Sequence, residues 1–108
     1  MASQGFDFEI DEGADRIDVR VRGELDTNAV FRLEPTLDEL PERSPSKEVV
    51  FDLRELTFVD SSGLGVLVAA DERLRGQGGS TRFLRPPDRV MRVFKLAALD
   101  EALPFEET

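Results

Sequence analysis

Neither cysteine nor histidine occurs among the 108 residues. The first absence excludes a disulfide framework, a thiolate zinc site, an iron–sulfur cluster and a thiol nucleophile. The second removes the commonest metal ligand and the commonest general base. Tryptophan and tyrosine are missing too, leaving eight phenylalanines as the whole aromatic content. No run of 18 apolar residues exists, and Met1-Ala2-Ser3-Gln4-Gly5 offers neither a basic region nor an apolar core. The expectation is a soluble cytoplasmic protein without direct membrane insertion. Positive charge is scarce: 14 Lys and Arg stand against 23 Asp and Glu, for a net −9. A nucleic-acid binder carries a basic footprint, so no nucleic-acid partner is expected, and an anionic membrane surface is disfavoured likewise. Residues 1–60 hold 16 acids and seven bases, and residues 61–108 hold seven of each, so the first part carries the whole imbalance. A solvated acidic surface that aids solubility accounts for such a bias by itself.

The length suits one domain spanning 1–108, large enough to bury a core without staples. Phe6, Phe8 and Ile10 alternate with Asp7 and Glu9, as in a strand with one buried face. After the polar turn 11–15, Ile17, Val19 and Val21 alternate with charges and complete a hairpin, which Gly23 is expected to end. Asp26 or Thr27 can cap a helix carrying Val30, Leu33, Leu37 and Leu40, and Pro35 within it predicts a kink or a split. Pro41–Lys47 reads as a loop. Val49-Val50-Phe51 with Leu53 is a continuous apolar run, the pattern of a central strand. Asp60-Ser61-Ser62-Gly63 then opens a helix with Leu64, Leu67, Val68 and Leu74 on one side, stopped by the glycines at 76, 78 and 79. Thr81–Leu84 is a short strand, and Pro86-Pro87-Asp88 starts a helix with Val90, Val93, Phe94 and Ala97 in phase. Leu103–Phe105 reads as a last edge strand. The fold class is α/β: a small mixed sheet of four to five strands, an N-terminal hairpin followed by parallel crossovers, with helices on its faces.

Ser61 and Ser62 are the outstanding hydroxyls, because they follow a buried-type strand and begin a helix. A hydrolase would need a base to take the hydroxyl proton, and neither Lys47 nor Lys95 stands in a Ser-x-x-Lys motif. The glycines at 76–79 close a helix, whereas a phosphate loop opens one and ends in Lys-Ser/Thr. The acids do not follow calcium-loop spacing. Elimination leaves a binding module and not an enzyme. An N-cap is sufficient reason for an Asp-Ser-Ser-Gly stretch taken alone.

The block Val49–Leu67, with Asp60-Ser61-Ser62-Gly63-Leu64-Gly65 at its heart, strongly resembles the signature of STAS domains. It is most similar to the bacterial anti-sigma-factor antagonists of that family. Gly23-Glu24-Leu25-Asp26 is a second match, in the family a loop beside the phosphorylation site. The resemblance extends over roughly residues 6–105. It implies that Ser61 is a phosphoacceptor, Asp60 its flanking acid, and Ser62, Gly63 and Leu64 the surroundings of the site. It further implies an antagonist whose unphosphorylated form binds an ATP-binding anti-sigma-factor serine kinase and so frees a sigma factor. Phosphorylation ends binding, a serine/threonine phosphatase resets the protein, and no cofactor is needed. A monomer or small oligomer is expected. Two rival roles come with the family: an interaction subunit of an ABC-type membrane transport assembly, and a stressosome-type scaffold. The intact Asp-Ser-Ser-Gly favours the switch. Family members continue with a further amphipathic helix for which no pattern follows Phe105 here, so contacts made by that helix are not carried over.

Overall fold

Strands β1 (Phe6–Glu12) and β2 (Arg16–Leu25) pair antiparallel about a turn in which the Gly13 N–H donates to Arg16 O at 2.8 Å. Helix α1 (Thr27–Arg43) leads to β3 (Glu48–Val59), α2 (Ser61–Gly76) to β4 (Ser80–Leu84), and α3 (Asp88–Leu96) follows. These elements come from a computed structural model that describes residues 5–43 and 47–106. The sheet order is β1-β2-β3-β4, with β2/β3 and β3/β4 parallel, each parallel step carried by a helical crossover. This is the mixed α/β architecture that the alternating periods predict. The expected last strand is reduced to one parallel bridge, Phe83↔Phe105. Phe83 N donates to Pro104 O at 3.0 Å and Glu106 N to Phe83 O at 2.8 Å. Pro104 is tolerated because it lies at the sheet edge, where no donor is missed.

Alternation sets the two faces of the sheet apart. Ile17, Val19, Val21, Val49, Phe51, Leu53 and Phe83 join the helical side chains Leu33, Leu37, Leu40, Leu67, Leu74 and Phe94 in one buried cluster. Phe51 stacks on Phe83 with ring centroids 4.7 Å apart, and Phe105 meets Phe94 edge-on at 5.3 Å. Each such side chain is worth about 1.5–3 kcal/mol on burial. The alternate positions carry charge instead. Arg22 pairs with Asp7, Glu9 and Glu55, and Arg20 with Glu9 and Asp52. Arg54 chelates Asp52 at 2.9 and 3.0 Å and holds that buried carboxyl below its ordinary range. Beneath this lattice Val50 is buried without belonging to the main core.

Four local expectations are corrected. Gly23 does not end β2; the strand runs on to Leu25, and Gly23 sits at a register shift with φ +90°. A Cβ there would stand 2.2 Å from Gly5 O, so the bend requires glycine. Pro35 does not split α1, which is continuous and extends beyond Pro41 to Arg43. Pro35 is exposed, so the acceptor it leaves unpaired lies on the wet side while Leu33, Leu37 and Leu40 keep the stripe buried. The expected Pro41–Lys47 loop is thereby shortened, and its residues 44–46 lie outside the described ones. Ala97 is exposed as the C-cap of α3, and Met91 is buried in its stead. The glycine stop of α2 is as expected: Gly78 has φ +87° and Gly79 N returns to Leu74 O at 3.1 Å.

Candidate functional site

Leu25 and Val59 are paired neighbours at the ends of parallel strands β2 and β3. The segments that leave those strands therefore emerge side by side. Asp26 and Asp60 occupy equivalent places, each capping the helix that follows. Asp26 Oδ1 accepts Ala29 N at 3.0 Å, which makes Asp26 and not Thr27 the cap of α1. Asp60, in extended conformation, accepts Gly63 N at 3.1 Å and the Ser62 hydroxyl at 2.6 Å. The Asp60 N–H lies 3.4 Å from Leu25 O, and the hydroxyls of Thr27 and Ser62 are 3.3 Å apart. Two tetrapeptides more than 30 residues apart in sequence thus form one surface. Gly23, Glu24 and Leu25 are the end of β2, and not a loop as the resemblance implied; only Asp26 lies beyond the strand.

The two serines differ sharply. Ser62 is half-buried and its hydroxyl is engaged by Asp60 and Thr27. Ser61 is exposed at the first position of α2, and its hydroxyl has no partner among the described residues. It also stands at the positive end of the helix dipole, with no acidic residue in the first turn. Gly63 is required by space: a Cβ would fall 2.6 Å from Leu25 O and 2.9 Å from Val59 Cγ2. Leu64 beside it is buried and ties the turn to the core. The Ser62 hydroxyl, aided by the Gly63 N–H, outweighs partial desolvation and holds the Asp60 carboxyl below its ordinary range. Asp60 is therefore ionised at neutral pH, one residue before the free Ser61 hydroxyl.

A shallow cavity of about 230 Å³ opens beside this surface, lined by Glu24, Asp26, Asn28 and Arg32 among others. Arg32 is already committed, donating to Phe6 O at 2.8 Å with its guanidinium 5.7 Å from the Phe6 ring centroid. Glu24 has no ion-pair partner among the described residues. The sequence reading missed Thr27 as the contact of Ser62, and it missed Phe31, exposed one helical turn further on. Phe31 is out of phase with Leu33, Leu37 and Leu40, and that mismatch was the signal available.

Comparison with known proteins places the fold. The anti-sigma-B factor antagonist of Listeria monocytogenes is 33% identical over 92 residues, covering 82% of this chain and 77% of the relative. The anti-sigma F factor antagonist of Paenibacillus polymyxa is 30% identical over 86 residues, covering 80% and 74%. The crystal structure of an anti-sigma factor antagonist from Mycobacterium paratuberculosis superposes with a TM-score of 0.84 at 25% identity, over 99% of this chain and 90% of that one. These relatives are named for antagonism and not for a catalysed reaction. The family model described as STAS domain matches residues 6–108. By that match and by the shared architecture, the chain belongs to the STAS domain family.

Proposed function

We propose that this protein is an anti-sigma-factor antagonist whose binding is switched by phosphorylation of Ser61. In the unphosphorylated state it binds an ATP-dependent anti-sigma-factor kinase in the cytoplasm, and the sigma factor is released. The observation that carries the reading is the contrast between the free, exposed Ser61 hydroxyl and the Ser62 hydroxyl, which donates to Asp60 at 2.6 Å and lies 3.3 Å from that of Thr27. A kinase needs a hydroxyl that can enter its cleft and approach the γ-phosphate in line. Ser61 can do so with no bond broken; Ser62 would have to give up its bond to Asp60 and its contact with Thr27. The names of the relatives support the same reading.

The product is electrostatically self-terminating. Phosphate adds about −1.5 to −2 charge beside the ionised Asp60. The kinase that delivered it still holds the anionic remainder of its nucleotide next to the same spot, so like charges meet in a dried interface. Dissociation follows without any change of fold, and a serine/threonine phosphatase restores the binding form. The test is phosphorylation by the purified kinase and ATP, followed by peptide mapping. One phosphate on Ser61, abolished in Ser61→Ala, is the expected result. Phosphate on Ser62 in the wild-type chain would overturn the assignment.

A further inference from the structure

Six of the eight phenylalanines have ring partners in the fold: Phe6 with Phe8, Phe51 with Phe83, and Phe83 and Phe94 with Phe105. Phe58 has none but lines a groove with Val90 and Val93 at the end of β3. Phe31 alone is used by neither. It is 73% exposed on α1, and it is out of phase with the buried stripe of that helix. A single exposed apolar residue is ordinary on a protein surface. The setting of this one is not. Thr27, one turn before Phe31 on the same helix face, meets the Ser62 hydroxyl at 3.3 Å. Phe31 therefore stands on the same rim as Ser61, within the reach of any protein that covers that serine.

The charge around it is one-sided. Along the rest of the exposed face of α1 lie Glu34, Glu39 and Glu42, which have no ion-pair partner among the described residues, and Asp38, which pairs with Arg73 of α2. The basic residues of the helix are already engaged, Arg32 by the Phe6 carbonyl and ring and Arg43 by Glu12. An aromatic side chain at the end of a ridge that keeps three unpaired acids is complementary to an apolar socket with a cationic rim. Interfaces concentrate aromatic anchors at the centre and charge at the edge.

We infer that Phe31 is an apolar anchor of the partner-binding surface, seated in a basic-rimmed socket of the kinase that phosphorylates Ser61. The inference rests on the switch reading above and adds a specificity determinant to it. Since Phe31 touches neither the phosphoryl donor nor the acceptor hydroxyl, it acts on docking and not on transfer. The Glu34 ridge acts on the rate of encounter, so its contribution fades as salt rises.

The experiment is steady-state phosphorylation by the purified anti-sigma kinase of the same genome, at low and high salt. The substrates are the wild type, Phe31→Ala, Phe31→Leu, Glu34→Lys and, as control, Leu96→Ala, whose side chain is 82% exposed on α3. Phe31→Ala should raise KM at least about tenfold with kcat within about twofold, the pattern of lost uniform binding. Phe31→Leu should recover part of the loss, Leu96→Ala should match the wild type, and Glu34→Lys should raise KM at low salt only. Thermal melts of Phe31→Ala should match the wild type, since nothing in the fold rests on that ring. A KM for Phe31→Ala within twofold of the wild type, or a fall in kcat alone, overturns the anchor. An unchanged KM for Glu34→Lys overturns the cationic rim. If the wild-type chain accepts no phosphate on Ser61, the switch reading itself fails and the anchor falls with it, an outcome distinct from the others.

Discussion

Asp60 carries two duties at once, and both depend on its charge. Its carboxylate caps α2 through Gly63 N and fixes Ser62, and those bonds hold its pKa below the ordinary value of about 3.9. A carboxyl with a depressed folded-state pKa contributes stability that is present above its unfolded value and lost as pH falls through the folded one. Asp60→Ala should therefore cost about 0.5–2 kcal/mol in urea melts at pH 7, the usual range for a lost cap. The gap should narrow progressively below about pH 4, where the unfolded carboxyl begins to hold its proton. A gap of constant size down to pH 2 would mean that the ionised form is not what caps the helix. Gly63 belongs to the same turn but is constrained by space alone. Its missing Cβ leaves room for Leu25 O, so Gly63→Ala should displace strand against helix and cost about 1–3 kcal/mol, the range seen for overpacking. Equal urea midpoints for Gly63→Ala and the wild type would contradict the close approach.

At the scale of elements, α1 and α2 respond oppositely to substitution. Leu67 is fully buried on the face that α2 turns to the sheet, and Leu67→Ala should cost about 2–5 kcal/mol, a substantial part of the roughly 5–15 kcal/mol that holds a typical domain. A loss below about 1 kcal/mol would mean that this face is wrongly placed. Pro35 sits on the exposed side of α1, where it removes one helical donor and adds nothing to the core. Pro35→Ala should thus raise the urea midpoint, by about 1–3 kcal/mol in stability, less whatever proline had saved by stiffening the unfolded chain. A lowered midpoint would show that the ring has a packing role. These helices also mark where sequence reading succeeds and where it stops. Leu33, Leu37 and Leu40 in α1 and Leu64, Leu67 and Leu74 in α2 declare their buried faces by spacing alone. Pro35 misleads because a local penalty is small beside the burial of that stripe. Gly23 misleads because a glycine that ends a strand and one that bends it are identical in sequence. Only pairing with β3 and the nearness of Gly5 distinguish them. Asp71 lies on the apolar face of α2, yet it is buried; Arg75 and Thr81 satisfy it, and the Thr81 contact spans two elements that spacing does not connect.

Across the whole molecule, the candidate site exists because two parallel strands end together. The residues of Gly23–Asp26 and Asp60–Leu64 were legible as motifs, but their nearness came only through the family resemblance and not from spacing, for it depends on the register that pairs Leu25 with Val59. Nor could sequence alone tell which serine is free, since that is decided by Ser62 reaching both Asp60 and Thr27. In the proposed switch, the added phosphate works by placing charge where the kinase holds its nucleotide. This yields the most direct test of the account, titration calorimetry of Ser61→Ala and Ser61→Asp against the purified kinase with ADP. Alanine adds no charge and removes only an unengaged hydroxyl, so Ser61→Ala should bind like the unphosphorylated wild type. Aspartate brings a second carboxylate beside Asp60 and should bind at least about tenfold more weakly, equivalent to about 1.4 kcal/mol. Its effect is a lower bound, because phosphoserine carries more charge than aspartate. Equal affinities for the two variants would contradict the charge switch at Ser61.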